Sequence, residues 1–86
     1  VTVGGHPYVV GTNFGRADHP GWTSNLLAQP IAVIDYQTER WAARAVPIAA
    51  PEQEPLWPLF YDMLPAYRAY RARLDRSVRM FRLERV

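Results

Sequence analysis

Eighty-six residues leave room for one small domain, and without cysteine that domain must be held by packing alone, with no disulfide and no thiolate metal site. Hydrophobic residues at 49% and aromatic residues at 13% supply a core and exclude a disordered chain. All ten positive side chains are arginine: three stand against six acids over residues 1–63, while seven (Arg68, Arg71, Arg73, Arg76, Arg79, Arg82, Arg85) stand against only Asp75 and Glu84 over residues 64–86, so the formal charge of +2 conceals a polarised chain.

No apolar run reaches membrane-spanning length, and no charged segment followed by an apolar stretch reads as a signal peptide. The expected location is cytoplasmic, with membrane association left open. Walker-type and GxGxxG loops are absent, and His6 and His19 have no spaced acidic or thiol partner for a metal. The chain opens on Val1 rather than methionine, from which trimming or a missing N-terminal piece is expected.

Val1–Val3, Gly4-Gly5 and His6–Thr12 predict a β-hairpin, since paired glycines supply the positive φ of a tight turn. A polar loop follows over Thr12–Gly21. Trp22, Leu26 and Leu27 stand at helical spacing, predicting a short helix over Gly21–Gln29 that Pro30 ends. Ile31–Tyr36 is apolar and largely β-branched, Gln37-Thr38 is the turn, and a second strand runs from Glu39 to about Ala50, with Trp41, Ala43 and Ala45 on a dry face. Pro51, Pro55 and Pro58 bracket Glu52 and Glu54 at a helix start, and Leu56, Phe60 and Met63 form that helix's apolar stripe up to Pro65. A further helix over Ala66–Arg76 sets Tyr67 and Tyr70 on one face. In Val78–Val86, Phe81 and Leu83 alternate with Met80, Arg82 and Glu84, predicting a closing strand with one buried face. The fold class is α+β, an antiparallel sheet or open barrel with short flanking helices.

The stretch from Gly11 to Leu27 carries the most chemistry. It takes a strand end through a polar loop into a helix start, where unpaired N–H groups and the positive dipole end favour an anion. Arg16 adds a planar donor, Asn13 and Asn25 add amides, and Trp22 adds an aromatic wall. The same residues admit a plain reading, with Trp22 and Leu26 in the core, Asn25 bracing the loop and Arg16 solvated. Tyr67 and Tyr70 can line a cofactor edge or supply a proton, or form an ordinary amphipathic stripe with wet hydroxyls. Arg68, Arg71, Arg73 and Arg76 spread over several helix faces, as a solvated surface does, and no nucleic-acid recognition motif accompanies them. His19 reads as structural.

Gly11-Thr12-Asn13-Phe14-Gly15-Arg16, His19-Pro20-Gly21-Trp22 and Asn25-Leu26-Leu27-Ala28-Gln29-Pro30 together resemble the deazaflavin (coenzyme F-420)-dependent nitroreductase and quinone reductase family. Leu56-Trp57-Pro58, the Pro65-x-Tyr67-x-x-Tyr70 helix and the last strand continue the likeness, which covers essentially the whole chain but only the later part of the family's domain. The resemblance implies an antiparallel split β-barrel, here lacking its N-terminal strands, with a deazaflavin between barrel and helices. It implies hydride transfer from reduced coenzyme F-420 to a quinone, nitroaromatic or activated enone, with flavin mononucleotide as the alternative cofactor. Thr12, Asn13, Arg16, Pro20, Gly21, Trp22 and Asn25 are the implied cofactor-binding residues, and Tyr67 and Tyr70 the implied catalytic ones. The family's preceding strand and Gly-Arg turn do not occur here, and Leu64 stands where a further tyrosine is common. A homodimer, or a partner chain over the open barrel edge, is therefore expected, with no nucleic acid. The alternatives are a shortened, non-catalytic homologue that binds deazaflavin or another apolar or anionic ligand, and an Arg-rich interaction module.

Overall fold

Strands β1 (Thr2–Val3) and β2 (His6–Val10) flank Gly4-Gly5, whose φ values of 58° and 82° are those the sequence demanded of this turn. The computed structural model describes residues 1–86. Strands β3 (Ile31–Tyr36) and β4 (Glu39–Pro47) form the second hairpin, with Ile34 opposite Trp41 and Ala32 opposite Ala43. Its turn is also left-handed, at φ 51° for Gln37 and 66° for Thr38, but without glycine, which costs about 1–2 kcal/mol per residue. The last strand, β5 (Met80–Arg85), inserts between the hairpins, so the sheet order is β1-β2-β5-β4-β3 and every pairing is antiparallel.

This open sheet is strongly curled. Four strand spacings separate β1 from β3, about 19 Å on a flat sheet. Yet the Thr2 hydroxyl is hydrogen-bonded to the Tyr36 hydroxyl, so the two edges meet at one end.

Helix α1 (Gly21–Ala28) follows the first hairpin. After β4 comes a broken helical segment, α2 (Ala50–Gln53), a 3₁₀ turn at Glu54–Leu56 and α3 (Trp57–Met63), rather than the continuous helix that the apolar stripe suggested. Pro55 and Pro58 explain the break, since neither can donate to the preceding turn. Helix α4 (Ala66–Ala72) ends four residues before the predicted Arg76. Gln53 ties α2 to the strands: it is buried, and its amide nitrogen donates to the carbonyls of Ile48 and Val78, both at 2.9 Å.

The core lies on both faces of the sheet. On one, Val10, Val78 and Met80 pack against Trp57 and Phe60 from α3. On the other, Ala43, Ala45, Phe81 and Leu83 pack with Val9, Ile34 and Trp41, and with Leu26 of α1. The closing strand thus departs from the expected single buried face, because Met80 and Phe81 are adjacent, point to opposite sides and are each only 1% exposed. Helix α3 covers the Met80 side, while the curl of the sheet and helix α1, whose Trp22 ring lies 6.2 Å from that of Phe81, cover the Phe81 side. Dry and wet residues on β4 alternate as predicted, with Ala43 and Ala45 buried and Arg40, Ala42 and Arg44 exposed.

The two-sided burial of β5 has a direct test. Met80→Ala and Phe81→Ala should each destabilise the chain in urea unfolding, by about 2–5 and 3–5 kcal/mol. A strand with one dry face would lose stability in only one of the two variants.

Candidate functional site

β2 ends at Val10, and Gly11 carries the chain against the first turn of α1. Its amide donates to the Arg79 carbonyl at 2.9 Å. A Cβ at this position would lie 2.5 Å from Thr23 Cγ2 and 3.3 Å from the Pro20 ring, so only glycine permits the approach. Thr23 is fully buried, and its hydroxyl donates to the Pro20 carbonyl at 2.7 Å. Arg79 donates to the hydroxyls of Thr23 and Ser24, each at 3.0 Å. A guanidinium therefore reinforces the positive end of α1.

Asn13, Phe14 and Gly15 form a 3₁₀ turn in which all three residues have positive φ (50°, 57° and 79°). Two of the three carry a Cβ, and such conformations cost of order 1–3 kcal/mol each. The surroundings over-determine them. The Asn13 amide donates to the Asp18 carbonyl at 3.0 Å, and the Phe14 ring meets Tyr70 edge-on with centroids 5.9 Å apart. Gly15 lies so close to α4 that a Cβ there would sit 3.2 Å from Tyr70 Cα.

Between this turn, the start of α1 and the α3–α4 junction lies a cleft of about 180 Å³, lined by Val10, Thr12, Asn13, Phe14, Pro20, Trp22, Leu64, Tyr67 and Tyr70. Tyr67 and Tyr70 stand edge to face, 6.1 Å between centroids, and Phe60 supports Tyr67 from below at 5.8 Å. The cleft has flat aromatic walls, the Thr12 hydroxyl, the Asn13 amide and two phenols. Flat aromatic walls with a few polar groups have the shape and chemistry to accommodate a planar, partly polar ring.

Six of the nine residues singled out from the sequence, Thr12, Asn13, Pro20, Trp22, Tyr67 and Tyr70, converge on this cleft. Arg16, Gly21 and Asn25 do not line it: all three are exposed, and Asn25 faces outward midway along α1. Phe14, Leu64 and Val10 were missed. An apolar aromatic between Asn13 and Gly15 in a polar loop was the available signal for Phe14, which is 66% exposed. Trp22 joins the cleft to a second cavity of about 260 Å³, an apolar trough on the concave face lined by Val9, Trp22, Leu26, Ala32, Ile34, Ala43, Ala45 and Leu83.

Of the four arginines whose spacing suggested a solvated surface, Arg68 and Arg73 are exposed and Arg71 and Arg76 are half-buried. Arg71 lies over the Trp57 ring at 4.4 Å and donates to the Tyr61 hydroxyl and to Glu54. Arg68 covers Tyr61 and Arg85 covers Trp41, each at 4.5 Å. His19 faces Arg76 at 3.1 Å, and burial, then the charges of Arg76 and Arg79, hold its pKa below the ordinary value of 6.5.

A sequence model of the family described as F420H(2)-dependent quinone reductase matches residues 1–85. The chain belongs to that family. Among solved structures, one described as an F420-H2 dependent reductase (FDR-A) superposes with a TM-score of 0.87 at 26% identity, over 98% of this chain and 75% of the other. Another, described as a domain-swapped dimer, matches equally well over 98% of this chain but only 63% of its own length. The present chain thus spans less than two thirds of that relative. No curated protein matches it. The family's cofactor is coenzyme F-420, and the open α+β sheet is the architecture these relatives share.

The close approach at Gly11 is testable without any ligand. Gly11→Ala should cost about 1–3 kcal/mol in thermal or urea unfolding, because the added methyl overlaps Thr23 Cγ2. Adding Thr23→Ser, which removes that methyl, should recover part of the loss in a double-mutant cycle.

Proposed function

We propose that this chain is the cofactor-bearing part of a reductase that transfers a hydride from reduced coenzyme F-420 to a quinone, with nitroaromatics and activated enones as further acceptors. The observation that supports it is the convergence of Thr12, Asn13, Pro20, Trp22, Tyr67 and Tyr70 on one aromatic-walled cleft in a chain of this family. The cleft's volume and lining fit an edge of a deazaflavin ring better than its whole, so the rest of the cofactor extends along the surface. Arg79 at the start of α1 offers an anionic tail its counter-charge there.

When bound, the reduced deazaflavin supplies the hydride; the acceptor takes it together with a proton to become a hydroquinone. The protein's part is position, dryness and the proton. Trp22, Phe14 and Leu64, exposed in the free chain, would pack on the bound ring and shield it from water, and Thr12 and Asn13 would present polar contacts to its edge. The Tyr67 and Tyr70 hydroxyls border the acceptor side, where a phenol can donate a hydrogen bond to a carbonyl oxygen as charge develops on it.

In this reading a second copy of the chain covers the apolar trough. The trough is lined by apolar side chains alone, and Ala32 and Ile34 carry it to β3, the edge strand of the sheet. A solved relative described as a domain-swapped dimer supports a dimeric state. No helix is long and apolar enough to cross a membrane.

Titration with coenzyme F-420, followed by its fluorescence, should saturate at micromolar concentration and more tightly than with flavin mononucleotide. Absence of binding at high micromolar concentration would refute the cofactor reading. With reduced cofactor and menadione, Tyr67→Phe and Tyr70→Phe should lower kcat by about 10²–10⁴-fold if the hydroxyl acts in proton donation. Binding without turnover in the unaltered chain would favour the non-catalytic homologue. Light scattering should give a dimer mass that Ala32→Arg, a charge placed in the trough, reduces to a monomer.

A further inference from the structure

Arg76 lies beyond the end of α4 in a chain position that the arginine spacing marks as surface, yet its guanidinium is turned inward. One terminal nitrogen donates to the Gly11 carbonyl at 3.3 Å and faces His19 Nδ1 at 3.1 Å. The other donates to the carbonyls of Thr12, Arg16 and Asp18 at 3.1, 3.3 and 3.2 Å. These acceptors span the loop that carries the strained Asn13-Phe14 pair and one wall of the cleft. Neither Asp18 nor Asp75, the chain neighbours of His19 and Arg76, forms an ion pair here, so the positive charge is met by peptide carbonyls and the His19 ring, with no carboxylate.

We propose that Arg76 is the positioning residue of the cleft, gathering the loop carbonyls and neutral His19 into one hydrogen-bonded knot that holds Thr12, Asn13 and Phe14 against α4, and that protonation of His19 unties it. The chemistry sets the direction. A guanidinium only donates, so His19 Nδ1 must accept, which requires the neutral ring with its proton on Nε2. A protonated ring would present an N–H to an N–H and a cation to a cation, with Arg79 as a second positive charge nearby. Lysine cannot replace Arg76, because three donors on one nitrogen do not reach acceptors dispersed over residues 11 to 19.

The sign of the pH effect follows from the direction of the His19 shift. The folded state holds the imidazole proton more weakly than the unfolded chain does, so the unfolded chain binds more protons at and below pH 6.5. The contribution is complete above the unfolded value and is lost as pH falls from about 6.5 through the lowered native value.

The loop's order can be read on the unliganded chain, by amide hydrogen exchange at residues 11–19 relative to β4 and β5. Arg76→Gln and Arg76→Lys should each lower protection of residues 11–19 by about 10- to 100-fold relative to the strands. In the unaltered chain, the intrinsic-rate-corrected protection of the same residues should fall between pH 7.5 and pH 5.5. His19→Gln, whose amide oxygen can accept from Arg76 but does not titrate, should abolish that fall. Wild-type protection in Arg76→Gln, full rescue by lysine, or an unchanged pH response in His19→Gln would each overturn the proposal. Should the Arg76 variants fail to fold, the pH comparison of the unaltered chain with His19→Gln still decides it.

The consequence for ligand rests on the cofactor reading. F-420 affinity should weaken about 10-fold or more in Arg76→Lys and on acidification. If the unaltered chain binds no deazaflavin while the exchange results hold, the cofactor reading fails and the knot stands.

Discussion

The rest of the molecule depends on where β5 sits. As the last strand in the chain and the middle strand of the sheet, it completes both hairpins at once, pairing with β2 on one side and β4 on the other. Until residues 80–85 are in place, the two hairpins share no ladder hydrogen bond. Burying adjacent side chains on opposite faces, Met80 toward the helices and Phe81 toward the concave trough, joins two clusters that otherwise have little in common. The same insertion brings the residues just before β5 alongside the end of β2. The Gly11 amide meets the Arg79 carbonyl there, and Arg76 and Arg79 gain access to the loop and to α1. The cleft is thus a product of the sheet's closing step, not an attachment to it.

Much of this was legible in the chain. Gly4-Gly5, the β-branched run at Ile31–Ile34 and the alternation around Trp41 to Ala45 specify local geometry through turn chemistry and period-two patterning, which need no knowledge of neighbours. The juxtaposition of Thr12, Asn13 and Trp22 with Tyr67 and Tyr70 was legible only through resemblance, because more than forty residues separate the two groups and no local rule brings them together. The errors share a cause. Alternation on β5 by itself suggests one dry face, since an amphipathic strand is the simplest account of Phe81 and Leu83; a central strand covered on both sides needs the tertiary arrangement to be known. The spacing of Arg76 from Arg73 resembles helical surface and so points to solvent. Helix α4 ends at Ala72, and that ending is what frees Arg76 to turn inward.

The conformations around the cleft are costly, and the neighbours that hold them are distributed over the whole fold. Asn13 and Phe14 sit in the left-handed region, Gly11 and Gly15 lie where a methyl group would clash, and the guanidinium of Arg76 collects carbonyls that would otherwise face solvent or one another. A loop free to relax would move Phe14 out of its edge contact with Tyr70 and widen the cleft. Strain of this kind persists only where surrounding structure enforces it. Here the enforcing groups come from α1, α4 and the residues before β5.

Five of the seven arginines after residue 63 fasten one part of the fold to another. Arg71 and Arg68 stack on the aromatic surface of α3, Arg85 on Trp41, Arg79 holds the start of α1, and Arg76 holds the loop. The planar guanidinium is suited to each of these contacts, as a flat cation over a ring or as a fork over several acceptors, and an ammonium is not. That gives a physical reason for arginine rather than lysine at these five positions in a small domain without a disulfide. The C-terminal third of the chain supplies the fasteners, and the glycine-bearing first third supplies the loop they fasten.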